Sequence, residues 1–195
     1  MLKICRTTID ILLTLIYNKT NKYDRRRKVS LYPKFYLKSV KKIDIDLLKK
    51  NSIKGLILDV DNTLIDIDKK LLDGVEEWCK NLRGQGVKIC ILSNTSHKEK
   101  AQGVAAKLEI PFIHFAKKPC KKGFYKAQKL LEIEKTEEIA VVGDQLFTDI
   151  LGANRVGMIP ILVEPVDKRD LWYTKIKRPL ENMFIRKFVK KMEEK

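Results

Sequence analysis

Residues 55–64, Gly-Leu-Ile-Leu-Asp-Val-Asp-Asn-Thr-Leu, constrain this chain more than any other stretch. The apolar run Leu56-Ile57-Leu58 leads straight into two carboxylates one residue apart, Asp59 and Asp61. A short apolar run bounded by turn formers reads as a strand buried on both faces, as in a parallel sheet. Packing does not explain acids at the end of such a strand, because a buried carboxylate needs a cation or donors. In open α/β sheets, ligands bind at the carboxyl ends of the strands. The stretch therefore predicts both a fold class and the place of its site.

From 55 to 165 the hydrophobic pattern alternates between the two periods. Strands are predicted at 55–60, 87–93, 112–115, 139–142 and 158–163. Helices are predicted at 73–84, 97–108, 122–132 and 148–155, the first with Val75, Trp78, Cys79 and Leu82 in one stripe. Upstream, Leu31-Tyr32-Pro33 reads as a turn and Phe35-Tyr36-Leu37 as an apolar contact. A short helix at 47–50, capped by Asp44 or Asp46, leads into the first strand. Strands alternating with helices imply right-handed crossovers. The expected fold is a Rossmann-like α/β three-layer sandwich around a central parallel sheet.

The net charge of +16 is unevenly placed. Residues 1–54 hold 15 basic and 4 acidic side chains, 55–165 hold 16 of each, and 166–195 hold 10 and 5. This predicts a neutral body with two basic flanks suited to an anionic surface. The expected organisation is a basic extension at 1–30, a catalytic body at 31–170 and a basic amphipathic helix at 171–195.

The apolar run Ile11–Tyr17 is far shorter than the roughly 20 residues of a spanning helix, and no small-x-small cleavage site follows it. With the basic run 22–28 it suits either anionic lipid headgroups or RNA. At the other end, Leu180, Met183, Phe184, Phe188 and Met192 fall on one helical face. That face either lies in a membrane interface or packs on the domain. The four cysteines make no metal spacing and read as reduced thiols of a cytosolic protein, Cys79 and Cys90 in its core.

The chemistry-bearing residues cluster at the predicted strand ends. Asp59 and Asp61 end the first, Ser93-Asn94-Thr95 the second, Lys118-Pro119 follows the third, and Gly143-Asp144 ends the fourth, with Thr148 and Asp149 beyond. Together they supply what displacement at phosphorus needs. One carboxylate attacks and a second moves protons. A hydroxyl and an ammonium hold the phosphoryl oxygens, and further carboxylates retain Mg²⁺. His97 and His114 read as a helix-start and a partly buried strand residue. An EF-hand reading from Asp59 fails, since Leu64 and Lys70 stand where Gly and Glu are required.

These four motifs, Asp59-Val60-Asp61-Asn62-Thr63, Ser93-Asn94, Lys118-Pro119 and Gly143-Asp144 with Asp149, resemble those of the haloacid dehalogenase superfamily, subfamily IIIA. The segments 58–64, 116–119 and 142–149, with Thr174-Lys175-Ile176, resemble its YqeG-like, phosphatidylglycerophosphatase-like branch. The likeness runs over about residues 31–185.

The resemblance implies Asp59 as nucleophile and Mg²⁺ ligand. It implies Asp61 as general acid/base, with its backbone carbonyl on the metal, and Thr63 as support for the loop. Ser93 and Asn94 would bind phosphoryl oxygen, and Lys118, rather than its neighbour Lys117, would neutralise the phosphoryl group. Asp144 would hold the metal, and Asp149 would be a further ligand or an orienting residue.

Asp59 to Ser93 spans 34 residues and Ser93 to Lys118 spans 25, which leaves no room for a cap domain. In this superfamily an uncapped site implies a large or surface-bound substrate. The resemblance thus implies phosphatidylglycerophosphate, met by a cytoplasmic protein at the inner face of the membrane. The alternatives are a phosphatase for protein, nucleic-acid ends or a small soluble ester, and a non-catalytic phospho-acceptor module.

Overall fold

The computed structural model describes residues 30–167 and 183–186. The segments predicted at 1–18 and 22–28, Thr174-Lys175-Ile176 and most of the C-terminal helix lie outside the described residues. Six strands, β1 (Phe35–Leu37), β2 (Gly55–Leu58), β3 (Lys88–Leu92), β4 (Phe112–Ile113), β5 (Ile139–Gly143) and β6 (Ile159–Val163), form one sheet. Every pairing is parallel, in the order β1-β6-β5-β2-β3-β4. The chain therefore runs outward one way from β2 through β3 to β4. It then returns to the other side of β2 for β5 and β6. The carboxyl end of β2 is the switch point, where open α/β sheets leave a crevice.

Among the described residues of the body, five α-helices cover the sheet: α1 (Ile45–Lys50), α2 (Val75–Gly84), α3 (Lys98–Leu108), α4 (Lys121–Leu131) and α5 (Leu151–Val156). Successive strand residues point to opposite faces. Leu56, Leu58, Ile89, Ile91, Ala140 and Val142 pack into the layer of α1, α2 and α3. Ile57, Cys90, Leu92, Ile139 and Val141 pack into the layer of α4 and α5. The strands are thus buried on both faces, which is why they read as continuous apolar runs. Asp44 is the cap of α1, its Oδ1 accepting from the Leu47 N–H at 2.8 Å. Cys79 and Cys90 are buried and Cys120 is exposed.

Three elements differ from expectation. Phe35–Leu37 is an edge strand, pairing Phe35 with Ile161 and Leu37 with Val163, rather than a mere apolar contact. The third predicted strand stops at Ile113, because Phe115 turns to φ +50° and its N–H goes to the Thr95 carbonyl. The last predicted helix begins as a wide π turn, Leu146–Ile150, before α5. Among the described residues, no inserted domain stands between β2 and β4. Residues 61–72 instead form a small tucked turn whose Leu64 and Ile65 are fully buried. Helical residues 183–186 place Phe184 and Ile185 against Leu146, Ile150 and Leu162, with Phe184 edge-on to Phe147. At this turn the C-terminal segment packs on the domain.

The contact between α5 and α4 depends on a glycine. A Cβ on Gly152 would lie 2.2 Å from the buried Phe124 ring, whereas one on Gly84 would meet nothing within 4 Å. Gly152→Ala should therefore cost about 1–3 kcal/mol by overpacking. Gly84→Ala, in α2, should be neutral or stabilising by up to ~1 kcal/mol. Urea unfolding of the two variants checks this; equal midpoints would contradict the packing described.

Candidate active site

Among the described residues, the buried polar or charged side chains are Asp59, Thr63, Ser93, Lys118, Asp144 and Asp149. All of them stand at the carboxyl ends of β2, β3 and β5 or just after β4, around the switch point. The pleated ladder delivers them there. Asp59 donates its N–H to the Val142 carbonyl and Ser93 its N–H to the Ile113 carbonyl, each one residue past its strand.

Lys118 is the centre of the cluster. Its Nζ lies 2.7 Å from Asp59 Oδ1 and 2.6 Å from Asp149 Oδ1. The Asn94 carboxamide holds its backbone from both sides: Oδ1 accepts from the Lys118 N–H at 2.6 Å, and Nδ2 donates to the Lys118 carbonyl at 3.1 Å. The Lys118–Pro119 bond is cis, and Arg155 Nη1 donates to the Pro119 carbonyl. Lys117 instead sets its ammonium over the exposed Phe115 ring, 4.8 Å from the centroid. Asp149 sits inside the π turn, and its Oδ2 accepts from Thr148 Oγ1 at 3.1 Å. Gly143 makes room for it, since a Cβ there would lie 2.3 Å from Asp149 Cγ.

Ser93 Oγ accepts from the Thr95 N–H at 3.1 Å. Asp61 is half-buried at the rim, its carboxylate paired with Lys100 Nζ from the first turn of α3. The mouth is a cavity of about 590 Å³, lined by Asp59, Asp61, Asn94, Lys118 and Gln145 among others.

Burial pushes the Asp59 carboxyl from 3.8 up to about 7; Lys118 opposes the rise, and Asp149 and Asp61 add to it. Burial alone would lower Lys118, but Asp149 and Asp59 outweigh it and hold the ammonium above its ordinary range. Asp59, Asp144 and Asp149 each offer a buried carboxylate oxygen, all within 4.8 Å of one another. Two of the three, Asp59 and Asp149, share the Lys118 ammonium. An all-oxygen donor set fits a hard divalent cation such as Mg²⁺.

Residues 21–167 match the family model described as "Mitochondrial PGP phosphatase". The chain belongs to this family. It is 36% identical over 154 residues to "Probable phosphatase YqeG" of Bacillus subtilis, covering 78% of this chain and 88% of the relative. It is 37% identical over 130 residues to "Phosphatidylglycerophosphatase GEP4, mitochondrial" of Saccharomyces cerevisiae, covering 58% and 68%. It is 31% identical over 156 residues to "Phosphatidylglycerophosphate phosphatase 1, chloroplastic/mitochondrial" of Arabidopsis thaliana, covering 71% of this chain but 42% of that protein. With its parallel sheet and strand-end cluster, the chain is a phosphatase of the YqeG-like branch of the haloacid dehalogenase superfamily.

The structure brings all seven candidate residues, Asp59, Asp61, Ser93, Asn94, Lys118, Asp144 and Asp149, to one end of the sheet. It adds two that sequence reasoning missed. Arg155 reaches Pro119 from α5 and has no local signature. Lys100 had a signal: a cation in the first turn opposes the helix dipole, and such a placement asks for an acidic partner.

The raised Asp59 sets a pH dependence for the metal-free phosphatase. Folding tightens its hold on a proton, so its contribution to stability is full below about 4 and is lost as pH rises towards about 7. Asp59→Asn has no such proton to lose. Urea unfolding in chelator should show the parent losing stability relative to Asp59→Asn across that window. A difference that stays constant with pH would contradict it.

Proposed function

We propose that this phosphatase hydrolyses a phospholipid monoester, phosphatidylglycerophosphate, through a phospho-Asp59 intermediate. One observation carries the chemistry: Asp59 is pinned by Lys118 at the sheet's switch point, with a second acid, Asp61, at the rim of the same mouth. An Asp59 oxygen attacks phosphorus, and the bond to the leaving alcohol breaks. Asp61 gives its proton to the departing oxygen. Water then attacks the phosphorus of phospho-Asp59, and Asp61 takes its proton. The phosphorus–Asp59 bond breaks and inorganic phosphate leaves.

Lys118 neutralises the phosphoryl group in both steps, and Ser93 accompanies it at the phosphoryl oxygens. Asn94 positions Lys118 through its backbone, and Lys100 orients the Asp61 carboxylate. Asp59, Asp144 and Asp149, with the Asp61 backbone carbonyl, would hold Mg²⁺, which supplies charge neutralisation at the phosphoryl oxygens.

The substrate reading draws support from three directions. The yeast and plant relatives are named for phosphatidylglycerophosphate. Among the described residues no inserted domain covers the mouth, so a headgroup can reach it without leaving the bilayer. The charge excess of the sequence lies outside residues 55–165, in 1–54 and 166–195, a composition suited to an anionic surface such as the inner face of a membrane. No helix among the described residues is long and apolar enough to cross a membrane.

Phosphate release from phosphatidylglycerophosphate in mixed vesicles, against a panel of soluble phosphoesters, tests this. The lipid should be preferred, and activity should need Mg²⁺ and vanish with chelator. Asp61→Asn should lose roughly 100-fold or more in kcat while keeping the parent's melting temperature. Soluble sugar phosphates cleaved with no activity on the lipid would defeat the substrate; full activity of Asp61→Asn would defeat the assignment of roles.

A further inference from the structure

A groove of about 420 Å³ opens beside the mouth. Lys69, His97 and Lys100 line both, so the two spaces adjoin. One wall is α3, where Lys100, Gly103 and Lys107 recur at helical spacing on one face. The other wall is the turn after β2, which contributes apolar floor from the half-buried Leu71 and carries Lys69. That turn is tightly built. Lys69 has φ +64°, its N–H reaches the Asp66 carbonyl, and the Lys70 N–H reaches Asp66 Oδ1 at 2.8 Å.

Three lysines face this groove against one acid, Glu99. Lys100 is committed to Asp61. Among the described residues neither Lys69 nor Lys107 enters an ion pair. Gly103 is the telling residue. A glycine inside a helix costs about 0.5–1 kcal/mol against alanine. Yet a Cβ here would meet nothing within 4 Å, so packing does not require the glycine. What its bareness does is keep the groove open between Lys100 and Lys107.

We propose that this groove binds a second anionic group of the substrate, a phosphodiester joined by a short polyol to the scissile phosphomonoester. The inference rests on the lipid-monoester reading above and deepens it. Lys69 and Lys107 meet the diester, and the apolar floor takes the carbon chain between the phosphates. The groove thereby selects for a substrate with two phosphates over a simple monoester, without touching the reacting atoms.

Two variants outside the catalytic cluster test it. Lys107→Glu reverses the charge, and Gly103→Leu fills the groove from a position where a side chain has space. The substrates are p-nitrophenyl phosphate, the deacylated headgroup glycerophosphoglycerophosphate, and the intact lipid in vesicles. The parent should prefer the headgroup to p-nitrophenyl phosphate. Each variant should raise KM for headgroup and lipid roughly tenfold, with kcat, melting temperature and p-nitrophenyl phosphate hydrolysis near the parent's.

Unchanged KM in both variants, with the parent still cleaving the lipid, would overturn the groove and leave the lipid reading intact. Equal losses on all three substrates at an unchanged melting temperature would also overturn the groove alone. A parent that cleaves p-nitrophenyl phosphate but neither headgroup nor lipid would overturn both.

Discussion

One buried ammonium ties the site to the fold. Lys118, from the loop after β4, bridges Asp59 at the end of β2 and Asp149 beyond β5. Those elements lie on both sides of the switch point, so the ion pairs tie together the two sides of the crevice that the strand order opens. Desolvating such charges is costly, and removing one partner from a buried pair typically costs about 3–5 kcal/mol. The surrounding residues serve this arrangement. Asn94 grips the Lys118 backbone, Arg155 holds Pro119, and the bare backbone of Gly143 admits the Asp149 carboxylate. Among the described residues the cluster gathers three buried carboxylates, Asp59, Asp144 and Asp149. The buried carboxylates favour a divalent cation, and burial above all, with Asp149 adding to it, raises Asp59.

The two acids at the end of β2 have different surroundings, which suits different tasks. Asp59 is enclosed and pinned by the Lys118 ammonium, which suits the nucleophile's role proposed for it. Asp61 stands at the rim with Lys100, within reach of water and of a leaving group. In the proposed reading substrate selection comes not from this pair but from the open mouth, the lysine-rimmed groove beside it and the basic composition of the sequence flanks.

Much of this was legible in the sequence, because strands buried on both faces are contiguous apolar runs and catalytic side chains gather at their ends. Five of the six strands and every member of the polar cluster could be read that way. The misses have physical causes. Phe35–Leu37 is three residues long and pairs on one side only, so neither alternation nor a long apolar run marks it. The π turn at 146–150 has the composition of an ordinary helix start; only the need to swing Asp149 onto Lys118 reveals it. Arg155 acts through a contact 36 residues away, where no local pattern reaches, and Lys100, marked locally only by its place in a helix's first turn, meets Asp61 39 residues away. The groove on α3 depends on a missing side chain, Gly103, whose meaning appears only once its surroundings are known to be empty.

The most direct measurement is chemical trapping of the enzyme during turnover of phosphatidylglycerophosphate. Borohydride reduction of an acyl-phosphate, followed by peptide mass spectrometry, identifies the phosphorylated carboxylate. Reduction should fall at Asp59 alone and should build up further in Asp61→Asn, where water is no longer activated. No reduction during active turnover, or reduction at Asp61, Asp144 or Asp149 instead, would contradict a mechanism organised around the Lys118–Asp59 pair.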